Sequence, residues 1–544
     1  VLPVIQRSLV WTEEKMELLF DTFLKGDSFS CVIAIKEEKG KMPLFNYRRF
    51  SKTGELVNSK EIDKLEQTQF FIIDGQQRLQ TFYMGLMGSL NGKYLYFDLY
   101  SNYLSQYEFK FEKDKSSLPS SSKDDGRSLS RHLWYEAGTL LNKLKDTNDE
   151  EQVADELIDD FDIKDELERD HIKKNIKAFY KNIISSDSLG VSIVNINKTR
   201  PDLENRQRIV ELFRRLNDGG TKLSSFDLVA SILKGFDWRM EGFLREILSQ
   251  YDDIGLTQDN LIKLIFILQD NHNKEMANIE YSDANFAILN KEKIESSLYA
   301  TKQFLKHSKL YDYYKDGSRS FIPLFFIAYH LFHKKLELDE IKSYFNNFET
   351  GNFDYIPMKS WLYHSLLNGV FRSRGAGWVS YKTGIRKLLS VIKDFKNEEF
   401  PVKDLFDVYI QHPLNFDLNY SKESLNNLYS SFVYYLMYDR KESLRVNDVD
   451  HIMPKFILQS YNYSWDKINS ISNYQLLDYS TNRGNKNSSS FNDWINNKDN
   501  VKDKKQYVKI HLIPDDESLW LEKEFEKFID KRAELIIEKI SSYL

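Results

Sequence analysis

Two hydrophobic periods alternate along the first third of this chain. Residues 1–11, VLPVIQRSLVW, form an extended apolar arm with Gln6-Arg7 embedded in it. Met16, Leu19, Phe20, Phe23 and Leu24 then recur at three- and four-residue spacing, which predicts a helix. Thr12 is its N-cap, Glu13 and Glu14 fill its first turn, and Gly26 ends it. A hairpin-like region follows, with the basic-aromatic stretch 45-FNYRRFSK-52. Phe70 to Ile73 is a continuous apolar run and predicts a buried strand, and Leu79, Phe82, Tyr83, Leu86 and Met87 predict one stripe of a following helix. Asp74-Gly75 makes the turn between them. Val191 to Ile196 is apolar and β-branched, and is expected to complete the N-terminal sheet.

Further on, Ile209, Phe213 and Leu216 line one face of a helix that Asn217-Asp218-Gly219-Gly220 ends, and Ser224 with Asp227 looks like a capping box for the next. Residues 240–400 are helical in pattern and contain no catalytic constellation. Their basic-aromatic segment 371-FRSRGAGWVSYK-382 suits either a helix–helix turn or contact with phosphates and bases. The acidic run 148–170 predicts a solvated helix pair, 113–130 a Ser- and charge-rich loop, and about 517–541 an amphipathic packing helix. Val446 to Ile452 is a short β-prone run. The expected class is α+β: an N-terminal α/β domain over 1–235, a helical middle over 236–400 and a third domain over 401–544.

Composition narrows the function. With 41% hydrophobic residues in 544, sizeable cores can form, and the length allows about three to four domains. A net charge of −6 excludes a generally basic coat, so any nucleic-acid contact must be a local patch. Cys31 is the single cysteine, which excludes intrachain disulfides and a Cys-based zinc staple and fits the cytoplasm. The apolar run 321-FIPLFFIAYHLF-332 is too short to span a bilayer, so no membrane association is expected.

Two places carry chemistry. At the turn after Phe70–Ile73, Gln76, Gln77 and Arg78 occupy the first turn of a helix, where backbone N–H groups and the dipole favour an anion. Gly75 lets a phosphate approach and Arg78 can fork onto its oxygens, although a solvated polar first turn explains the same residues. In 446-VNDVDHIMPK-455, Asp450 can ligate a hard cation and His451 can take a proton from water. Asn473 and Asn482 follow, the latter just before Arg483-Gly484.

The Asp-His-Ile-x-Pro segment with its two later Asn residues resembles the HNH, or His-Me finger, nuclease motif of the DUF1524 family. That family's fold is a ββα-metal finger with one divalent cation. The resemblance implies Asp450 and Asn482 as ligands of Mg²⁺ or Mn²⁺, His451 as general base and Asn473 as the brace of its loop. The basic stretch from 482 to 506, with Arg483 and Lys486, would then give a positive rim for DNA. Lys486 stands one position later than the Lys of the related CRISPR motif.

Gln6-Arg7 with Asp74-Gly75-Gln76-Gln77-Arg78 resembles the DUF262 family, whose domain is ParB/sulfiredoxin-like. The pattern Phe213, Arg215, Asn217, Gly220, Leu223-Ser224 matches it again. DUF262 joined to DUF1524 is the architecture of GmrSD-type, type IV-like restriction enzymes and related phage-defence nucleases. It implies nucleoside triphosphate binding by Gln6, Arg7 and Asp74 to Arg78, since the chain has no Walker A motif. GTP, CTP, UTP and ATP stay open, as do the DNA modification read and whether a homodimer or other defence-system subunits take part. The expected function is a nucleotide-regulated, metal-dependent endonuclease acting on modified phage DNA. The alternative is a ParB-like DNA-binding switch that does not cut.

Overall fold

The computed structural model describes residues 1–544 except 4, 6–8, 28–30, 56, 58–63, 121–128, 130, 186, 188, 197–198, 200, 219–224, 273, 275–277, 316–318, 347–352, 372–384, 412–415, 440–446, 479–485 and 487–488, and except the side chains of 203, 214, 217, 218, 225 and 447. The fold is α+β, with small sheets among many helices. It divides into two compact units, Val1–Gly242 with Met276–Ala284, and Phe243–Glu275 with Asn285–Leu544.

The first unit begins with β1 (Leu2–Pro3), α1 (Glu13–Leu24), β2 (Val32–Glu37), β3 (Tyr47–Arg48), β4 (Gln69–Asp74), α2 (Gln76–Met87), β5 (Tyr94–Asp98), β6 (Phe109–Glu112) and β7 (Trp134–Glu136). It continues with α3 (Ala137–Thr147), α4 (Glu150–Asp160), α5 (Glu166–Phe179), β8 (Val191–Val194), α6 (Asp202–Asp218) and α7 (Ser225–Phe236). One sheet has the order β4-β2-β8, with β2 antiparallel to β4 and parallel to β8, so the expected late strand does complete it. Strand β1 pairs with β3 in a second, two-stranded sheet, and a third, β6-β5-β7, is antiparallel throughout. Its Leu95, Phe97, Phe109 and Phe111 pack with Met16 and Phe20 of α1, Leu140 of α3, Leu157 of α4 and Ile176 of α5. The acidic run is thus a helix pair with one buried apolar side, because Val153, Leu157, Ile172 and Ile176 recur beneath its charges.

Thr12 caps α1 as expected, accepting from the Lys15 N–H. Helix α2 differs from its predicted stripe. Its buried face is Gln76, Gln77, Gln80, Thr81, Met84 and Gly85, while Met87 is 57% exposed. The polar side chains are turned inward because they serve backbone. Gln77 Oε1 accepts from Val10 N–H at 2.9 Å, and Gln80 bonds both the N–H and the carbonyl of Ser51. Gly85 lies so close to Phe20 that a Cβ there would come within 2.7 Å of the ring.

The second unit carries α8 (Arg239–Tyr251) from Phe243 onward, α9 (Gln258–Leu268), α10 (Tyr281–Leu289) from Asn285 onward, α11 (Lys291–His307), α12 (Tyr311–Lys315), α13 (Ile322–His333), α14 (Leu338–Lys342), α15 (Tyr355–Leu367), α16 (Arg386–Asp394), α17 (Val402–Ile410) and α18 (Ser430–Met437). The apolar run is α13, buried along nearly its whole length with Pro323 in its first turn. Then come β9 (Asn447–His451), α19 (Lys455–Ser460), α20 (Trp465–Ile468), β10 (Tyr474–Asp478), α21 (Phe491–Asn496), α22 (Lys504–Ile510) and α23 (Phe525–Ser541). The last helix begins later than its pattern suggests, after two 3-10 turns at Glu517–Trp520 and Glu522–Glu524. Ile452, Met453, Leu458, Ile468, Trp494 and Phe528 form the core behind β9. No helix among the described residues is long and apolar enough to cross a membrane.

Candidate functional site

β9 and β10 pair antiparallel, with Asp450 opposite Gln475 and His451 opposite Tyr474. Adjacent strand residues face opposite sides, so the carboxylate and the imidazole leave the hairpin on different faces. On one face, Asp450 Oδ2 accepts from Gln475 Nε2 at 3.0 Å and from the Lys486 ammonium. Gln475 Oε1 in turn accepts from the Tyr507 hydroxyl.

On the other face, His451 Nε2 lies 3.0 Å from Asn469 Oδ1, and its ring sits 4.7 Å from that of Tyr474. Asn469 Nδ2 donates to the Trp465 carbonyl at 2.9 Å, which fixes the amide with its oxygen toward the imidazole. Nε2 therefore carries the proton and Nδ1 is left as the acceptor. Burial lowers the pKa of His451, the Asn469 bond and Asp450 oppose this, and Lys486 and Lys455 lower it further. The net effect favours the neutral ring.

Asn473 is fully buried. Its Oδ1 accepts from Met453 N–H at 3.0 Å, and its Nδ2 donates to the carbonyls of Met453 and Ile468 at 3.1 and 3.0 Å. It braces the loop that follows His451, as a positioning residue. Asn473→Ala should cost about 2–3 kcal/mol, because the Met453 N–H loses its buried acceptor. Urea unfolding measures this, and an unchanged midpoint would remove the brace role.

Lys486 corrects an expectation. It was expected on DNA, but its side chain is 1% exposed, and its ammonium donates to Asp450 and to the His451 carbonyl. A cation buried against a carboxylate has no face left for a phosphate backbone. Asn482 and Arg483 lie outside the described residues, as does the segment 372–382.

Six further residues belong to this region although the sequence did not single them out. Asn469 and Gln475 become visible only through the hairpin register. Lys455 Nζ stands 4.1 Å over the ring of Trp465, which is 56% exposed, beside Phe456 at 78%. Arg532 of α23 is fully buried, and donates to the carbonyls of His511, Ile471 and Ser472. Burial brings its pKa down to about 10. Its signal in the sequence is an Arg on the apolar stripe Phe528, Arg532, Ile536.

The HNH resemblance implies one divalent cation beside Asp450. Its Oδ1 has no hydrogen-bond partner among the described residues, and the side chain is 15% exposed. A carboxylate oxygen without a hydrogen-bond partner fits a hard cation.

In the first unit, Gly75 is the N-cap of α2 with φ +86°, where a Cβ would lie 2.9 Å from Val32 Cγ2, so this turn requires glycine. Arg78 folds back, its Nη2 3.4 Å from Asp74 Oδ2 and 3.5 Å from the Cys31 carbonyl. Gln77 corrects a second expectation. Its amide oxygen ties the Val10-Trp11 backbone to α2, so that oxygen is not offered to a nucleotide. Gln76 is buried and lines a cavity of about 80 Å³ with Arg48, Arg49 and Gln80. A larger cleft, about 310 Å³, is lined by Phe45, Arg206, Lys234, Trp238 and Arg239 and by none of residues 74–78. Gln6 and Arg7 lie outside the described residues. Arg215 is exposed and pairs with Glu211 at 2.7 Å on its own helix.

Nothing among the curated proteins matches this chain. Residues 1–234 match the family described as GmrSD restriction endonuclease, N-terminal domain. The match spans the three small sheets of the first unit and the Asp74–Arg78 turn, and ends within α7. Over residues 1–234 the chain is therefore similar to the GmrSD restriction endonuclease N-terminal domain family.

Proposed function

We propose that the chain is a metal-dependent DNA endonuclease of a phage-defence restriction system, cutting modified foreign DNA under nucleotide control. The observation that carries the cutting role is the β9–β10 hairpin. It holds Asp450 on one face and, on the other, a neutral His451 whose Nδ1 is kept as acceptor by Asn469. A ring with a fixed tautomer and a lowered pKa suits a general base that takes a proton from water. A cation held by Asp450, with Asn482 as the second expected ligand, would supply Lewis-acid stabilisation of the leaving oxygen. His451 Nδ1 receives the proton of the attacking water, and Asn469 keeps the ring aimed. Asn473 holds the following loop. Lys486 balances part of the Asp450 charge from behind. Lys455 and the exposed Trp465 and Phe456 offer a cationic and stacking surface for the nucleic acid.

The test is a cleavage assay on modified and unmodified phage DNA, with each NTP in turn, and with Mg²⁺, Mn²⁺ or EDTA. Cutting that needs metal supports the reading. DNA binding without cutting under every condition returns the chain to the switch alternative.

For the first unit we assign the nucleotide phosphates to the N-terminus of α2, beside Gly75 and Arg78. Arg78 then leaves its long contacts with Asp74 and Cys31 for a phosphate oxygen. Arg78→Ala should weaken NTP binding by about 10-fold or more, the worth of one charge-assisted bond of about 1.5–3 kcal/mol. Calorimetry that finds the parental affinity in this variant overturns the assignment.

A further inference from the structure

The sheet β6-β5-β7 brings three distant segments to one edge. β5 lies between two antiparallel neighbours, with Phe97 opposite Phe109 and Asp98 opposite Trp134. The end of β5 therefore meets the start of β6 and the start of β7. Asp98, Glu108 and His132 stand there, and their ligand atoms all lie within 4.8 Å of one another. We propose that these three residues form a divalent transition-metal site in the first unit. It is independent of the nuclease reading.

The geometry is built from the backbone outward. Asp98 Oδ1 accepts from the N–H groups of Tyr100 and Leu133, at 3.0 and 2.8 Å. That fixes Oδ2 in place, 2.8 Å from His132 Nδ1. The Glu108 backbone is pinned as well. Its carbonyl accepts from Asp98 N–H at 3.0 Å, and its N–H donates to Ser101 Oγ at 2.9 Å. Its Oε2 reaches to 3.7 Å from the same His132 Nδ1. The His132 ring, 5.2 Å from that of Trp134 at 29°, is stacked into position, and its side chain is 7% exposed.

Two carboxylates thus converge on one imidazole nitrogen, and a single proton there can satisfy only one of them. The neighbouring Lys110 makes its ion pair with Glu17 at 2.7 Å and acts on Glu108 only as a nearby charge. The Glu108 carboxylate accepts no hydrogen bond from a described residue. A dication replacing the Nδ1 proton joins all three groups. Zinc bonds of about 2.0–2.2 Å set neighbouring ligand atoms roughly 3 Å apart, a spacing that 2.8 and 3.7 Å bracket. One imidazole with two carboxylates suits Zn²⁺, Co²⁺ or Mn²⁺ better than an all-oxygen ion such as Ca²⁺. Water completes the shell on the side of Glu108, whose side chain is 42% exposed. The bound ion would staple β5, β6 and β7 together.

The probe is Co²⁺, read by its visible absorption and by calorimetry on the full chain. Asp450→Ala serves as background, so that the second unit's proposed cation does not contribute. In this background one Co²⁺ is expected per chain. Adding Glu108→Gln, which keeps the backbone bonds to Asp98 and Ser101, should weaken binding at least about 10-fold. Adding His132→Gln should abolish the imidazole contribution to the spectrum. Saturating Co²⁺ should raise the melting temperature of the Asp450→Ala protein by a few degrees, and that of the Glu108→Gln protein by less. Absence of Co²⁺ binding in an Asp450→Ala protein that circular dichroism shows to be folded overturns the site. So does parental affinity in the Glu108→Gln protein, whatever either variant does to DNA.

Discussion

His451→Ala should cut DNA about 10²- to 10⁴-fold more slowly than the parent, the usual worth of a positioned base. DNA affinity and melting temperature should stay close to parental. The substitution removes one acceptor, Nδ1, and one bond, from Nε2 to Asn469. It leaves Asn473 holding the loop and Asp450 on the other face of the hairpin. Asn469 keeps its bonds to the Trp465 carbonyl and the Tyr474 hydroxyl, so the frame behind the ring persists. Asp450→Ala should behave differently. It strands the buried Lys486 ammonium without its carboxylate, so stability should fall together with activity. Cleavage, DNA affinity and melting measured side by side for both variants separate the two roles. A His451→Ala protein that cuts at the parental rate ends the general-base assignment.

The second large effect is acid unfolding of the second unit between pH 6.5 and about 4.5. Three of its histidines are held neutral by burial. His364 and His333 are brought down to about 4, and His511, with Arg532 and Lys486 adding to burial, to about 3. Their surroundings are built for the neutral ring. His511 Nδ1 meets the Tyr438 hydroxyl at 2.9 Å, and His364 Nδ1 meets that of Tyr420 at 2.6 Å. The sign follows from proton uptake. A folded pKa below the unfolded value means that the unfolded chain binds more protons in this window. Stability is therefore complete above pH 6.5 and is lost as the pH falls toward the folded pKa values. At pH 4.5 each ring costs about 2–3 kcal/mol, at 1.36 kcal/mol per pH unit. Three such rings consume much of a total stability of about 5–15 kcal/mol. Calorimetry from pH 7 to 4.5 should show a steep fall in melting temperature, and His364→Gln should flatten it by about a third. A flat profile would mean that these rings are not buried neutral.

The local elements were legible because each is specified by its own neighbours. Thr12 with the stripe Met16, Phe20, Phe23 specifies α1, and Gly75 at φ +86° specifies the turn into α2. The Asp450-His451 strand is likewise legible as a short β-prone run closed by Pro454, the N-cap of α19. The likeness of the first 234 residues to the GmrSD N-terminal domain was legible in Asp74 to Arg78 and in the Phe213 pattern.

What the sequence could not specify depends on partners distant along the chain. The inward face of α2 departs from its apolar stripe because Gln77 and Gln80 look like solvent residues until the arm and Ser51 arrive to take their amides. Lys486 looked like a DNA contact because its charge was visible and the Asp450 carboxylate that buries it was not. Asn469 acquires meaning only when the β9 loop folds back over α20, and Arg532 only when three carbonyls converge on it. The Asp98, Glu108 and His132 cluster is the clearest case. Ten and then twenty-four residues separate its members, a spacing that matches no metal motif, and only the pairing of β5 with both neighbours brings them together. Sequence by itself determined the local elements and the family likeness of residues 1–234, since propensity, caps and motif residues act locally. The tertiary structure alone decided which charges are buried and which donors converge, since burial and sheet register are set by segments that the local pattern does not contain.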